Sequence, residues 1–304
     1  MKLRHIISAG QFDAKTLAAL FSLATKIKNN HYDKKALEGK ILASLFYEPS
    51  TRTRLSFESA MLKLGGKVIS TENAKEFSSA AKGETLEDTI RVIGYYADVI
   101  VLRHFMSGAS DIAAALSNVP IINAGDGNGE HPTQALLDLY TIFSKFPNRE
   151  FTITMAGDLF NGRTIHSLSR LMALFSKTDI IFVSPKALGI PQSLRNELKQ
   201  KRVKFEETED FKHALSQGDV IYQTRIQKER FKTKKEFKKY FGKYILDQKS
   251  LKYLKKNSII MHPLPRVNEI AKSVDSDSRA AYFSQVKNGL YIRMAILLSI
   301  LDRL

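Results

Sequence analysis

Residues 41–54 read Ile-Leu-Ala-Ser-Leu-Phe-Tyr-Glu-Pro-Ser-Thr-Arg-Thr-Arg, an apolar run followed at once by hydroxyl and guanidinium side chains. The run Ile41–Phe46 predicts a buried strand of a parallel sheet. Residues 50–53 favour a helix start, where the first backbone N–H groups have no partner inside the helix. These N–H groups, the hydroxyls and Arg52 together predict a phosphate site that opens a helix. It is not a Walker A loop, because Gly-x-x-x-x-Gly-Lys is missing.

The pattern of apolar run and helix recurs along the chain, which predicts an α/β fold with mostly parallel sheets. The further predicted strands are Lys67–Thr71, Asp98–Leu102, Pro120–Asn123, Thr152–Met155, Asp179–Val183, Val203–Phe205, Asp219–Tyr222 and Ser258–Met261. The predicted helices cover 13–28, 53–64, 84–96, 107–117, 131–146, 162–176, 187–200 and 286–303.

Four strands followed by five predict two domains, each a mostly parallel sheet flanked by helices. We expect the first domain at 1–131, an interdomain helix at 132–149 and the second domain at 150–285. The last helix is strongly apolar on one face, so we expect residues 286–304 to pack back on the first domain.

The composition excludes several classes of protein. The 304 residues include no cysteine, which excludes disulfides, thiolate zinc sites and a cysteine nucleophile. No apolar stretch approaches the roughly 20 residues of a membrane span, and no targeting segment is visible. We therefore expect a cytoplasmic protein without a membrane partner.

The net charge of +16 is concentrated in one region of the chain. Residues 195–256 contain 19 Lys/Arg and 9 Asp/Glu, so their net charge is 19 − 9 = +10. One interpretation is nucleic-acid binding, which a titration against salt would test. We favour a solvated basic face, with residues 228–243 as a surface loop or an amphipathic helix, and we expect no nucleic-acid partner.

Four more polar loops follow predicted strands. Residues 123–134 are rich in glycine and end in His131 and Gln134, three apart at a helix start and able to hydrogen-bond a carbonyl or an amide. Residues 157–164 place Arg163 at another helix start, where its guanidinium can hold a carboxylate. The other two loops are 223–227 and 262–266. Because ligands bind at the carboxyl ends of such strands, the loops predict one active-site cleft between the two domains.

The motifs Ser-Thr-Arg-Thr-Arg at 50–54, His-Pro-Thr-Gln at 131–134 and His-Pro-Leu-Pro-Arg at 262–266 resemble the carbamoyltransferase family, in the expected order. Three motifs favour the aspartate branch of this family. They are His-Pro-Leu-Pro-Arg at 262–266, Gly-Arg-Thr-x-His-Ser with Arg163, and Arg225-x-Gln227-Lys-Glu-Arg. The ornithine branch typically carries a cysteine in its His-x-Leu-Pro loop, and this chain has none.

The resemblance implies roles for individual residues. Those that would bind carbamoyl phosphate are Ser50, Thr51, Arg52, Thr53, Ser78, Lys82, Arg103, His131, Gln134, Leu264 and Pro265. Those that would bind aspartate are Lys82, Arg163, Arg225, Gln227 and Leu264. The catalytic set would be Arg52, Thr53, Arg103 and His131, while Glu48 and Arg230 resemble a pair that forms when the domains close. Ser78 and Lys82 would come from a neighbouring subunit, which implies a homotrimer with shared active sites.

The implied activity is transfer of the carbamoyl group from carbamoyl phosphate to the amine of L-aspartate, giving N-carbamoyl-L-aspartate and phosphate in de novo pyrimidine synthesis. Another amine acceptor, such as ornithine, is the alternative. The resemblance implies no metal and no cofactor. Regulatory chains or other pathway enzymes are further possible partners.

Overall fold

The computed structural model describes residues 4–74, 82–127, 129–231 and 233–301. The chain divides into two compact units, of which the first comprises 1–140 and 287–304 and the second 141–286. Among the described helices, none is long and apolar enough to cross a membrane.

The first unit alternates strands and helices. Its strands are β1 (Ile41–Phe46), β2 (Lys67–Glu72), β3 (Val99–His104) and β4 (Ile121–Asp126). Its helices are α1 (Ala14–Lys28), α2 (Thr51–Lys63), α3 (Leu86–Ile93), α4 (Ala109–Leu116) and α5 (Pro132–Lys145), whose last residues belong to the second unit.

The four strands described in the first unit run parallel, in the order β2-β1-β3-β4. The central strands are buried along nearly their whole length, because they face a hydrophobic core built from β1, β3 and the helices α3 and α4. At the β4 edge, Ile6 donates its N–H to Ile121 and accepts from the N–H of Asn123. The chain preceding α1 therefore pairs with the edge strand.

The described residues of the second unit form five strands: β5 (Phe151–Ala156), β6 (Thr178–Val183), β7 (Phe205–Thr208), β8 (Val220–Gln223) and β9 (Ile259–Met261). Its helices are α6 (Arg163–Met172), α7 (Gln192–Gln200), α8 (Phe211–Gln217), α9 (Lys234–Lys238) and the start of α10 (Tyr282–Ile300). The strands form a parallel sheet in the order β7-β6-β5-β8-β9.

These sheets confirm the predicted fold, including a final helix whose residues from Lys287 onward belong to the first unit. Helix α10 begins four residues earlier than predicted, at Tyr282. Helix α8 was not predicted, and β7 lies further along the chain than the predicted Val203–Phe205. The basic segment 228–243 contains a short 3-10 turn and α9.

Candidate active site

The phosphate loop follows β1 and opens α2, as the sequence predicts. Ser50 is the residue before the helix, and its hydroxyl makes no bond to the first amides of α2. Thr53 is buried, whereas Thr51 and Arg52 are exposed. Exposed amides at a helix start, with hydroxyls beside them, form a surface that favours an anion.

The two arginines of this segment have different surroundings. The guanidinium of Arg54 lies 2.9 Å from Glu72 and 3.4 Å from Glu58, so its charge is already neutralised within the protein. Arg52 is exposed on the first turn of α2. Its exposure at the helix start, beside the hydroxyls, fits the predicted role of Arg52 in binding a phosphate.

Arg103 lies beside the phosphate loop because of the strand register. Phe46, the last residue of β1, pairs with Arg103 in β3, and the N–H of Tyr47 donates to the carbonyl of Arg103 at 2.9 Å. The Arg103 guanidinium donates to the carbonyl of Ala124 at 3.2 Å and lies 3.5 Å from Glu48. Arg103, the predicted carbonyl-binding arginine, therefore lies at the same end of the sheet as the predicted phosphate site.

His131 and Gln134 follow the next strand, β4. Asp126 holds the intervening loop, because its carboxylate accepts from the N–H groups of Gly108 and Glu130, each at 3.0 Å. His131 is buried and its carbonyl accepts the N–H of Gln134, so it stands at the start of α5. Since β1, β3 and β4 are consecutive parallel strands, the residues that follow them lie together at the carboxyl end of the sheet.

The remaining residues implied for the first unit are less constrained by the structure. Lys82 is exposed, whereas Ser78 lies outside the described residues. The described contact of Glu48 is with Arg103, and Arg230 is exposed in the second unit. The Glu48–Arg230 closure pair stays a prediction.

In the second unit, the turn after β5 lies against the segment after β8. Gly157 has φ +128°, and a Cβ atom there would lie 2.3 Å from the carbonyl oxygen of Thr224. The N–H of Thr224 donates to the carbonyl of Ala156 at 2.8 Å. Glycine is needed because the two backbones approach so closely.

A buried carboxylate organises this turn. Asp158 accepts from the backbone N–H and the side chain of Asn161, and the side-chain amide of Gln227 donates to the Asn161 carbonyl at 3.2 Å. Burial raises the pKa of Asp158, against the lowering effect of the Asn161 bonds and of the Arg230 charge. Arg163 begins α6 directly after this turn. The structure thereby connects the loops that carry Arg163 and Gln227.

The loop after β9 is held by its two end residues. His262 is buried between the N–H of Leu264 and the carboxylate of Glu269. The Arg266 guanidinium is bound to Asp275 and Tyr282. Leu264 has φ +50°, a conformation that non-glycine residues rarely adopt and that concentrates at functional sites. Arg225 lies close enough for its charge to lower the pKa of His262, although burial is the larger cause.

Two family models cover almost the whole chain. The model of the aspartate/ornithine carbamoyltransferase carbamoyl-P binding domain matches residues 4–144, and the model of the Asp/Orn binding domain matches residues 149–300. The chain belongs to the aspartate/ornithine carbamoyltransferase family. The predicted family is confirmed.

Relatives within this family are similar over nearly the full length. The chloroplastic aspartate carbamoyltransferase of Arabidopsis thaliana is 53% identical, over 97% of this chain and 77% of the relative. The aspartate carbamoyltransferase catalytic subunit of Clostridium kluyveri is 46% identical, over 99% of both chains.

Solved structures of the family share the fold. The catalytic subunit of M. jannaschii aspartate transcarbamoylase has a TM-score of 0.91 and 48% identity, covering 99% of this chain and 98% of that chain. Trypanosoma cruzi aspartate transcarbamoylase in complex with carbamoyl aspartate and phosphate has a TM-score of 0.92 and 40% identity, covering 98% and 96%.

Sequence reasoning missed residues that support the site. Asp158 and Asn161 lie in the predicted polar loop 157–164 without an assigned role, and the sequence motifs give none to Asp138, which accepts a hydrogen bond from Gln134. The spacing of Gln134 and Asp138, four apart in a helix, is a signal that could have found their bond. In the described part of the chain, no three His, Asp or Glu residues group so as to hold a metal ion.

Proposed function

We propose that this chain is an enzyme that transfers the carbamoyl group of carbamoyl phosphate to the amine of L-aspartate, giving N-carbamoyl-L-aspartate and phosphate. The observation that carries the proposal is the register that pairs Phe46 with Arg103. This register supports the proposal because it brings the helix start of α2, proposed to bind the phosphate, close to the Arg103 guanidinium, proposed to bind the carbonyl of the same substrate. The similar proteins are aspartate carbamoyltransferases, which supports aspartate, rather than ornithine, as the acceptor.

Carbamoyl phosphate binds to the first unit in this proposal. Its phosphate lies at the start of α2, against Ser50, Thr51 and Thr53 and the charge of Arg52. Its carbonyl oxygen accepts from Arg103, His131 and the Thr53 hydroxyl, and its nitrogen contacts Gln134.

L-Aspartate binds to the second unit through its two carboxylates. Arg163 and Arg225 provide guanidinium groups, which bind carboxylates in a planar, two-pronged geometry. Gln227 adds an amide whose position is fixed by its bond to the Asn161 carbonyl. The backbone around Leu264 and Pro265 offers carbonyl oxygens to the carbamoyl NH₂ group.

The chemical step is an acyl transfer. The neutral amine of aspartate forms a C–N bond to the carbamoyl carbon, and the carbonyl electrons move to oxygen. Arg103, His131 and Thr53 stabilise that oxyanion. The C–O bond to phosphate then breaks, and the departing phosphate accepts the proton of the amine. No electron is transferred to or from the substrates, so the step requires no redox cofactor.

We further propose a homotrimer in which Ser78 and Lys82 act in the site of a neighbouring subunit, beside the departing phosphate. The same proposal places the enzyme in the cytoplasm, in de novo pyrimidine synthesis. Lys82 is exposed, which permits it to reach another subunit.

A steady-state assay with two acceptors tests the activity. Carbamoyl phosphate is supplied with L-aspartate or with L-ornithine, and the carbamoylated product is measured by mass spectrometry. Product from aspartate and none from ornithine is the expected result. Product from ornithine alone would contradict the proposed acceptor.

The shared site has a test of its own. Lys82→Ala and Arg103→Ala are each expected to be nearly inactive as pure proteins. If subunits share sites, mixing the two under exchange conditions creates some sites in which both residues are intact, so activity returns. A native mass of three chains is the expected companion result. Mixtures as inactive as their components would overturn the sharing.

A further inference from the structure

Asp138 is a buried carboxylate one helical turn after Gln134 in α5. Its Oδ1 atom lies 2.9 Å from Nε2 of Gln134, and none of its side chain is exposed. An ionised carboxylate can accept hydrogen bonds but cannot donate them. Gln134 must therefore turn its NH₂ group toward Asp138, which leaves its oxygen, Oε1, on the other side of the amide.

The charge of Asp138 acts on the buried side chain of Arg293 in α10. Arg293 is buried, and its guanidinium lies over the ring of Phe57, 5.1 Å from the ring centre. Burial lowers the pKa of Arg293 to about 10, and the charge of Asp138 opposes that change. The guanidinium is thus still positive at neutral pH, and its charge favours the ionised form of Asp138.

Arg293 connects the two helices that carry the proposed carbamoyl phosphate site. Phe57 is buried in α2, behind the phosphate loop, and Asp138 is in α5, behind Gln134. Space for the guanidinium comes from Gly289, where a Cβ atom would lie 2.7 Å from Nη1 of Arg293 and 3.0 Å from Leu137. A glycine inside a helix costs about 1 kcal/mol relative to alanine, so its presence here has a packing cause.

We propose that Asp138 and Arg293 are positioning residues that fix the Gln134 side-chain amide so that Oε1 faces the carbamoyl NH₂ group. The proposal rests on the proposed function, in which Gln134 contacts the carbamoyl nitrogen. The NH₂ group can only donate, so it needs an acceptor at this position. A reversed amide would set two donors against each other.

The arrangement makes the site selective among acyl phosphates. Acetyl phosphate has the size and phosphate of carbamoyl phosphate but a methyl group in place of NH₂. A fixed Oε1 of Gln134 therefore accepts a hydrogen bond from the NH₂ group of carbamoyl phosphate. When acetyl phosphate is bound, the same oxygen faces a methyl group and has no partner. An unpaired buried polar group is costly, which is how a hydrogen-bonding site rejects an analogue lacking the donor.

The test compares the KM for carbamoyl phosphate with the inhibition constant of acetyl phosphate as its competitor. In Asp138→Asn, Arg293 attracts the remaining oxygen and the new NH₂ group turns to Gln134, which reverses the amide. The ratio of inhibition constant to KM is then expected to fall on the order of tenfold. Thr133→Val, a buried change on the neighbouring residue of the same helix, is expected to leave the ratio unchanged.

A second pair of variants keeps the test decisive if Asp138→Asn fails to fold. Arg293→Lys retains a positive charge and is expected to keep the ratio within about threefold of wild type. Arg293→Met lets Asp138 take up a proton and become a donor, so the ratio falls as in Asp138→Asn.

The outcomes are distinguishable. Parallel losses for both acyl phosphates, with an unchanged ratio, would mean that Asp138 and Arg293 only stabilise the fold, and would overturn the inference. A wild-type protein that forms no carbamoyl aspartate would instead overturn the proposed function.

Discussion

The backbone N–H of Leu264 donates a hydrogen bond to Nδ1 of His262 at 2.7 Å. On the other side of the ring, Nε2 lies 2.7 Å from the Glu269 carboxylate. Because Nδ1 accepts, the neutral ring carries its proton on Nε2 and donates it to Glu269. Protonation of the ring would replace the bond to Leu264 by a repulsion between two N–H groups.

This geometry predicts a loss of stability in mild acid. Burial lowers the pKa of His262 from 6.5, so below that pH the unfolded chain binds a proton that the folded chain resists. Stability therefore falls as the pH decreases through 6.5. In His262→Asn, the amide oxygen can still accept from Leu264 but has no such titration. Its thermal midpoint is expected to fall less steeply between pH 8 and pH 5.

His213→Asn provides the control for this measurement, since it removes a histidine whose side chain is exposed. It is expected to match the wild-type slope. Equal slopes for His262→Asn and wild type would show that the buried ring does not control the acid response. The pKa of Glu269 is lowered from 4.5, so its own loss of charge lies below the pH range used.

Arg103→Ala is expected to reduce turnover on the order of 10²–10³-fold, since it removes a donor to the oxyanion. The measurement is kcat at saturating concentrations of both substrates. Arg170→Ala removes an ion pair between α6 and Glu197 of α7, which has no proposed contact with either substrate. Its turnover is therefore expected to stay within about twofold of wild type. Turnover of Arg103→Ala within a few-fold of wild type would remove Arg103 from the catalytic set.

Replacing the two arginines of the phosphate loop is predicted to have different effects, one on substrate binding and the other on stability. Arg52→Ala removes a charge next to the phosphate and is expected to raise the KM for carbamoyl phosphate about tenfold or more. Arg54→Ala disrupts the bonds to Glu58 and Glu72 instead. It is expected to lower the thermal midpoint with little change in KM, and the reverse pattern would exchange the roles of the two residues.

Arg225→Leu is predicted to affect one substrate only. Loss of a charge-assisted bond to a carboxylate corresponds to about 10- to 100-fold in the KM for aspartate, whereas the KM for carbamoyl phosphate changes little. Arg195→Leu, at an exposed pair with Glu207, is the matched control. Equal changes in both KM values would indicate a structural role for Arg225.

Gly157→Ala is predicted to destabilise the protein by on the order of 3 kcal/mol or more. Both its φ of +128° and the close Thr224 carbonyl oppose a Cβ atom. Gly242 also has positive φ, +83°, but open space around it. Gly242→Ala therefore isolates the backbone strain, which costs about 1 kcal/mol. Similar unfolding midpoints for the two variants would exclude the steric clash.

Much of the fold could be predicted because strands buried on both faces give continuous apolar runs. Strand β1 is the clearest case, with five of its six residues buried. The edge strand β7 lacks that signal, because it reads Phe-Glu-Glu-Thr and is partly exposed, and it begins two residues later than predicted. Helix α8 has only seven residues, too few to show a helical period.

The candidate site was predictable where a polar loop follows a buried strand. That pattern identified the loops carrying Arg52, His131 and Arg163, because the polar residues at the carboxyl ends of parallel strands lie together. Arg103, which lies within β3, was implied only by the family resemblance. The role of Arg293 could not be predicted, since its partners Phe57 and Asp138 are distant in sequence and only the folded chain brings them close. Assignments that depend on a second subunit, such as Ser78, stay predictions.

The pairing of Ile6 with the β4 edge also bears on how the protein behaves at high concentration. An open edge of a parallel sheet presents unpaired N–H and C=O groups, which recruit strands from other molecules. Ile6 occupies those groups at Ile121 and Asn123. The segment before α1 therefore protects the first unit against aggregation. A chain shortened past Ile6 would leave the N–H and C=O groups at the edge of β4 free to pair with strands of other molecules.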